Sequence, residues 1–323
     1  MKIATIDDGS RDGRLAVVSG DGKRAVLADT IAGTLQEALE NWEAAAPRLA
    51  ALPAAAGPGF HFDPLRALAP LPRSWQWLDG SAFQSHGDLM SEVFGTEKLP
   101  YDERPLMYQG LSHRFLPGRA DVPMADEADG IDFEGEFAVI TDDVPAGVSA
   151  AEAAGHIKLV VLLNDWSLRR IAPIEMKTGF GWVQAKPACS VAPLAVTPDE
   201  LGPAWRDGRV CLPLNVRWNG ETFGRALGDD MAFTFPQLVA YAAYSRDLCA
   251  GTMVGSGTVS NSNYREIGSS CIAERRGIEI KDSGEPVTPF MKFGDTVDMW
   301  AELGGESVFG SISQRVVPAR AAC

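Results

Sequence analysis

The sequence predicts a mainly β protein with some α: a small β-rich domain over residues 1–72 and a larger mixed β domain over 73–323. Three observations carry that reading. Short apolar runs separated by Gly- and Asp-rich turns fill residues 2–27. Residues 53–72 hold five prolines and two glycines, the composition of a linker. From Trp75 onward strand-like runs dominate, interrupted by two helical patterns.

Runs at 3–6, 14–18 and 24–27 read as a small meander of short strands. Residues 34–52 place Leu35, Leu39, Trp42, Leu49 and Leu52 near helical spacing and predict one helix. In the larger domain strands are expected at 133–140, 191–196, 212–218, 222–225, 252–254, 296–302 and 312–317. Trp218-Asn219-Gly220-Glu221 predicts a tight hairpin, because Asn-Gly readily supplies the positive φ angles of a type I′ turn. Ser149 followed by Glu152 marks a capped start for a helix over 149–154, extending toward 158. A second helix is expected at 235–245, with Leu238, Val239, Tyr241 and Ala242 on its apolar side.

Composition narrows the function classes. The 43 acidic against 29 basic residues leave a formal charge of −14, which repels nucleic acid and anionic lipid. The first eight residues lack the apolar core of a secretory signal, and no stretch approaches the roughly 20 apolar residues of a bilayer span. A cytoplasmic protein without membrane or nucleic-acid partners is therefore expected. The cysteines (Cys189, Cys211, Cys249, Cys271, Cys323) are widely spaced, odd in number and without a C-x-x-C pair. They predict buried reduced thiols rather than disulfides or a zinc knuckle.

The most informative segment is Ile131-Asp132-Phe133-Glu134-Gly135-Glu136-Phe137-Ala138. On a strand, residues two apart project to the same face, so Glu134 and Glu136 would repel unless a cation lay between them. Asp165 follows the apolar run 159–163 and adds a third carboxylate. With no histidine or cysteine nearby in sequence, these acids favour a hard divalent ion (magnesium, calcium or manganese) over zinc.

Further polar clusters follow in order. Trp77-Leu78-Asp79-Gly80-Ser81-Ala82-Phe83-Gln84-Ser85-His86 sets Asp79 seven residues before His86; then come Asn164-Asp165-Trp166-Ser167-Leu168-Arg169, Gln184-Ala185-Lys186-Pro187, Gly255-Ser256-Gly257-Thr258-Val259-Ser260 and Ser270-Cys271-Ile272-Ala273-Glu274. Together with the closing segments 291–296 and 308–314, this series resembles the fumarylacetoacetate hydrolase family, specifically from about Trp75 onward and only loosely before it.

The resemblance implies a rolled β-sandwich of the fumarylacetoacetate hydrolase type, assembled as a homodimer. It implies a cation, Mg or Ca with Mn also suitable, held by Asp79, Glu134, Glu136 and Asp165. It further implies His86 as general base oriented by Glu274, Arg169 and Lys186 as stabilisers of oxyanion or enolate charge, and Thr258 as a contact to the substrate carboxylate. The expected activity is hydrolysis of a carbon–carbon bond in a small-molecule 1,3-diketo acid, fumarylacetoacetate or a related acylpyruvate, in aromatic compound catabolism such as tyrosine degradation.

Each residue has a structural alternative. Arg169 and Lys186 also suit ion pairing with the acidic cluster, Glu274 also suits pairing with Arg275 and Arg276, and Thr258 suits a plain turn. The chain departs from the family at Ser81, Gly95 and Ala172, where substrate or oxyanion contacts are expected, and Gln184 or Gln84 is a candidate replacement. Alternative activities are an oxaloacetate decarboxylase or tautomerase, a 2-keto-4-pentenoate hydratase-like enzyme, and a non-catalytic metal-binding protein.

Overall fold

A computed structural model describes residues 1–55, 59–94 and 104–319, so Gly95 and Cys323 lie outside the described residues. The molecule is mostly sheet with helices, as the sequence predicts. Its large mixed sheet runs, from edge to edge, through Phe60–His61, Arg24–Leu27, Arg14–Val18, Lys2–Ile6, Ala195–Val196, Ile157–Asn164, Gly135–Thr141, Met253–Gly255, Trp77–Gly80 and Met107–Gln109. The N-terminal strands therefore continue the sheet of the larger region, with Lys2 and Ile3 opposite Val196 and Ala195.

The apolar run 159–163 is buried on both faces of this sheet. Val160 and Leu162 join Phe137 and Val139 in one core, while Leu159, Val161 and Leu163 join Ala138 and Ile140 in the other. An interior strand covered on both sides has no reason to alternate polar and apolar residues, which explains the uninterrupted run. The first of these cores packs against a five-stranded sheet ordered Glu221–Leu227, Pro213–Trp218, Thr296–Leu303, Glu306–Pro318 and Val122–Met124. The second is capped by helices of the N-terminal region.

Local chemistry sets several boundaries. Trp218 pairs with Glu221 across the expected hairpin, and Asn219 and Gly220 take φ of 51° and 81°. Ser149 and Glu152 form a complete capping box at the start of the Ala150–His156 helix. Thr234 and Gln237 do the same for Phe235–Ala242.

Four expectations are corrected. The strand over 133–140 is two, Ile131–Asp132 and Gly135–Thr141, with Glu134 in neither, because its N–H donates to the Asn164 side chain at 2.9 Å. The single helix over 34–52 is two, Leu35–Glu40 and Trp42–Ala50, because Asn41 bonds back through its side chain to the Glu37 carbonyl and leaves helical geometry. The strand over 191–196 is two short pieces, Ser190–Val191 and Ala195–Val196, flanking Pro193, which has no N–H to offer a ladder. Cys189 and Cys271 are buried free thiols as expected, but Cys249 is exposed. Two helices, Gln84–Phe94 and Ile272–Ser283, were not legible in the sequence, and they carry His86 and Glu274.

Candidate active site

Strand register brings the acids together. Asp79 sits beside Gly255 in a parallel pair, Gly255 sits beside Ala138, and Glu136 lies two residues before Ala138 on the same face. Asp165 leaves the neighbouring strand one residue after Asn164, which opposes Gly135, and its N–H donates to the Glu134 carbonyl at 2.9 Å. Carboxylate oxygens of Asp79, Glu136 and Asp165 consequently lie within 4.8 Å of one another, all three side chains buried. The glycines are part of the construction: a Cβ at Gly255 would meet Asp79 Oδ1 at 2.3 Å, and the Gly257 N–H donates to that oxygen at 3.1 Å.

Among the described residues both oxygens of Glu136 are buried and receive no hydrogen bond from any nitrogen or alcohol; their polar neighbour is the Asp79 carboxyl. Leaving a carboxylate this way is costly, since an unpaired buried charge loses its hydration and gains nothing in return. Burial, reinforced by Asp79 and Asp165, pushes the Glu136 carboxyl well above the usual range. Burial and then Asp165 push Asp79 up to about 8, against the opposing charge of Lys186. Three buried acids, one of them unsatisfied, fit a hard divalent cation bound through oxygen. Asp79, Glu136 and Asp165 would hold it.

Asp165 is already braced. It accepts from Lys186 Nζ at 2.5 Å, Tyr108 Oη at 2.5 Å and Cys189 Sγ at 2.9 Å. Burial and the Asp165 charge drive both the Tyr108 phenol and the Cys189 thiol well above their ordinary values, so each keeps its proton and serves as a donor. Tyr108 comes from the strand next to Asp79, directly opposite it, and its ring meets Trp182 edge-on at 6.0 Å.

Glu134 is held differently from its neighbour. It accepts from Ser167 Oγ at 3.0 Å, from Lys186 Nζ at 3.2 Å and from an Arg169 Nη. Burial alone would raise its carboxyl, but Arg169 and Lys186 reverse that and hold it well below the usual range. Arg169 also donates to Asp132 at 2.7 Å, and Asp132 in turn accepts the N–H groups of Ile272 and Ala273 at 2.7 and 2.9 Å. Asp132 thus ties Arg169 to the first turn of the helix bearing Glu274.

On that helix Glu274 is fully buried, with Oε1 accepting from Ser260 Oγ at 2.7 Å. Its Oε2 lies 3.6 Å from His86 Nδ1, beyond hydrogen-bond range, and neither atom has another partner among the described residues. Ser85, next to His86, donates to Ser260 at 2.9 Å, joining the two helices through a hydroxyl pair.

The structure therefore gathers Asp79, Glu136 and Asp165 into one cluster, adds Lys186 to it, sets Glu134 and Arg169 together beside it, and brings His86 to Glu274. Thr258 is buried in the Gly-flanked turn. Gln184 is exposed and binds Glu175 through its backbone, while Gln84 is exposed and donates weakly to Asp88 at 3.4 Å. Tyr108, Cys189, Asp132 and Ser260 escaped the sequence reading. Asp132 had a signal, since Asp132, Glu134 and Glu136 follow period two; Tyr108 and Cys189 reach Asp165 only through the folding of distant strands.

Comparison with known proteins covers most of the chain. The profile described as fumarylacetoacetate (FAA) hydrolase C-terminal matches residues 76–317, and that described as fumarylacetoacetase N-terminal domain 2 matches residues 1–73. A fumarylacetoacetase of Caenorhabditis elegans is 26% identical over 231 residues, 62% of this chain and 55% of the relative. An oxaloacetate tautomerase of Bacillus subtilis is 26% identical over 160 residues, 49% of this chain and 51% of the relative. The chain thus spans about half the length of these curated relatives. Among solved structures, a maleylpyruvate hydrolase from Sphingobium sp. SYK-6 in complex with manganese(II) and pyruvate superposes with a TM-score of 0.64 at 17% identity, covering 99% of this chain and all of that one. Among the described residues no helix is long and apolar enough to cross a membrane.

Proposed function

The chain belongs to the fumarylacetoacetate hydrolase family, and from that premise we propose that it is a divalent-cation-dependent enzyme hydrolysing a carbon–carbon bond in a 1,3-diketo acid, fumarylacetoacetate or a related acylpyruvate. The observation that carries the proposal is the buried Glu136 carboxyl, which among the described residues has no nitrogen or alcohol donor and lies against Asp79 and Asp165. Mg, Ca or Mn suits this all-oxygen donor set. Glu134, the fourth expected ligand, lies outside that cluster, bonded to Ser167, Arg169 and Lys186. Bound there, the cation would polarise the keto oxygens and share the negative charge of the departing enolate.

The protein's own groups supply the rest. His86 takes a proton from water as the water oxygen bonds to the substrate carbonyl carbon; Glu274 steadies the ring from the Nδ1 side. Closing the 3.6 Å separation to a hydrogen bond is the adjustment the dyad needs on binding substrate. Lys186 remains protonated, because Asp165 and Glu134 outweigh the cost of its burial. With Arg169 it presents fixed positive charge to the tetrahedral oxyanion. As the oxyanion re-forms a carbonyl in the acid product the carbon–carbon bond breaks, its electrons pass to the enolate carbon, and that carbon takes the proton that His86 removed from water.

A tautomerase or decarboxylase is the second reading. It is favoured by the open His86–Glu274 separation, since enolate stabilisation alone needs no activated water, and by the similarity to an oxaloacetate tautomerase. Purified protein with manganese, assayed against fumarylacetoacetate, fumarylpyruvate, acetylpyruvate and oxaloacetate with products identified by mass spectrometry and the oxaloacetate enol followed by its ultraviolet absorbance, separates the two. Chelator-sensitive release of an acid together with a ketone or keto acid supports the hydrolase. Conversion of oxaloacetate alone assigns the second reading, and no turnover of any keto acid rejects both.

A further inference from the structure

We propose that His86, Cys271 and Glu274 form a second metal site, distinct from the carboxylate cluster, that takes a thiophilic divalent ion such as zinc and thereby switches off the catalytic base. Its inhibitory consequence rests on the reading of His86 as that base; its existence as a binding site does not. One atom from each of the three residues, including the Cys271 sulfur, lies within 4.8 Å of the other two.

The donors are set up for a ligand. Cys271 and Glu274 are completely buried, and Glu274 uses Oε1 for Ser260, leaving Oε2 turned to His86 Nδ1 with no hydrogen bond on either atom among the described residues. With metal–ligand bonds of about 2.0–2.3 Å, a tetrahedral zinc site has ligand–ligand edges of about 3.3–3.8 Å. The 3.6 Å between Nδ1 and Oε2 falls inside that range. It is too long for a hydrogen bond and right for two ligands of one ion. Cys271 caps the Ile272–Ser283 helix by accepting the Glu274 N–H at 3.3 Å, which fixes the sulfur relative to the carboxylate.

The donor chemistry separates the two sites. Nitrogen, sulfur and oxygen together suit zinc, whereas the carboxylate cluster suits harder ions. Binding at Nδ1 leaves the proton of the neutral ring on Nε2, and an imidazole protonated there cannot accept a proton from water. The ion would also draw Glu274 away from its orienting role.

The test uses the full chain saturated with manganese, titrated with zinc for inhibition and with cobalt(II) for a thiolate-to-cobalt absorption band. Wild type is expected to bind one further ion and to show the band. Cys271→Ser keeps a helix cap, so keto acid turnover should persist while the band disappears and the inhibitory zinc concentration rises roughly 100-fold or more, at least the loss typical of a mere supporting group. A band and an inhibition unchanged in Cys271→Ser overturn the site and point to Cys189 or an exposed thiol. Should that variant fail to fold, His86→Ala, read by cobalt binding alone, should weaken the band, and an unaltered band overturns the site equally. Wild type that shows the band without turning over any keto acid keeps the metal site and rejects the proposed activity.

Discussion

Glu134 and Glu136 stand two residues apart, yet their surroundings are opposite. Glu134 takes bonds from Ser167, Arg169 and Lys186, and its charge is stabilised in place. Among the described residues Glu136 takes none from a nitrogen or alcohol, and its charge is resisted by burial and by two neighbouring acids. The difference teaches that an acidic motif has two tasks that one glutamate cannot perform at once. One carboxylate anchors the cations of the site, and the other is kept hungry for a metal.

Neutralising each glutamate should break this contrast with opposite signs. Glu134→Gln leaves Arg169 and Lys186 buried beside a neutral amide; both keep one acidic partner, so a loss of about 3 kcal/mol, the low end for a broken buried pair, is expected in urea unfolding. An unchanged midpoint would mean that the pairing contributes nothing. Glu136→Gln should weaken manganese affinity roughly 100-fold, the scale of losing a ligand-supporting group or more. In chelator the same variant should melt at or above the wild-type temperature, because an amide carries none of the ionisation that burial and two neighbouring acids oppose at Glu136. A lower melting temperature in chelator would show that Glu136 is satisfied as it stands.

The acid cluster also predicts a pH dependence for the cation-free protein. The folded state raises the Asp79 carboxyl from an ordinary 3.8 to about 8, so it binds that proton more tightly than the unfolded chain does. The resulting stability is complete below about pH 4 and is lost as pH rises through about 8. Thermal melts in chelator should therefore fall across that window, and saturating manganese should flatten the fall by binding only the folded state. A chelated protein whose melting temperature rises steadily with pH would contradict the assignment. The smallest effect is expected away from the site: Gly220→Ala, at a φ of 81°, should cost about 1 kcal/mol and leave manganese binding unchanged. Loss of metal affinity in that variant would mean that the hairpin supports the cluster.

Legibility followed the range of the interactions. The Asn219-Gly220 hairpin and the Ser149 capping box were readable because each is decided within four residues. The Gln84–Phe94 helix was not, since its glycine and serines carry little helical preference and the helix gains its stability by packing on Ile272–Ser283. The same holds for the bracing of Asp165, whose partners Tyr108 and Cys189 are separated from it by 57 and 24 residues.

By itself the sequence determined which groups are available: a period-two row of acids, an aspartate and a histidine seven residues apart, an arginine and a lysine near the third acid, and a strand-rich order of elements. The tertiary structure decided how they are shared out. It gave Arg169 and Lys186 to Glu134, left Glu136 among the described residues with no bond from a nitrogen or alcohol, and set His86 near Glu274 and Cys271 without closing a hydrogen bond between histidine and glutamate. The physical reason is that periodicity fixes the face a side chain occupies, whereas the protonation and pairing of a buried charge depend on atoms within a few ångströms. Those atoms come from parts of the chain that only folding brings together.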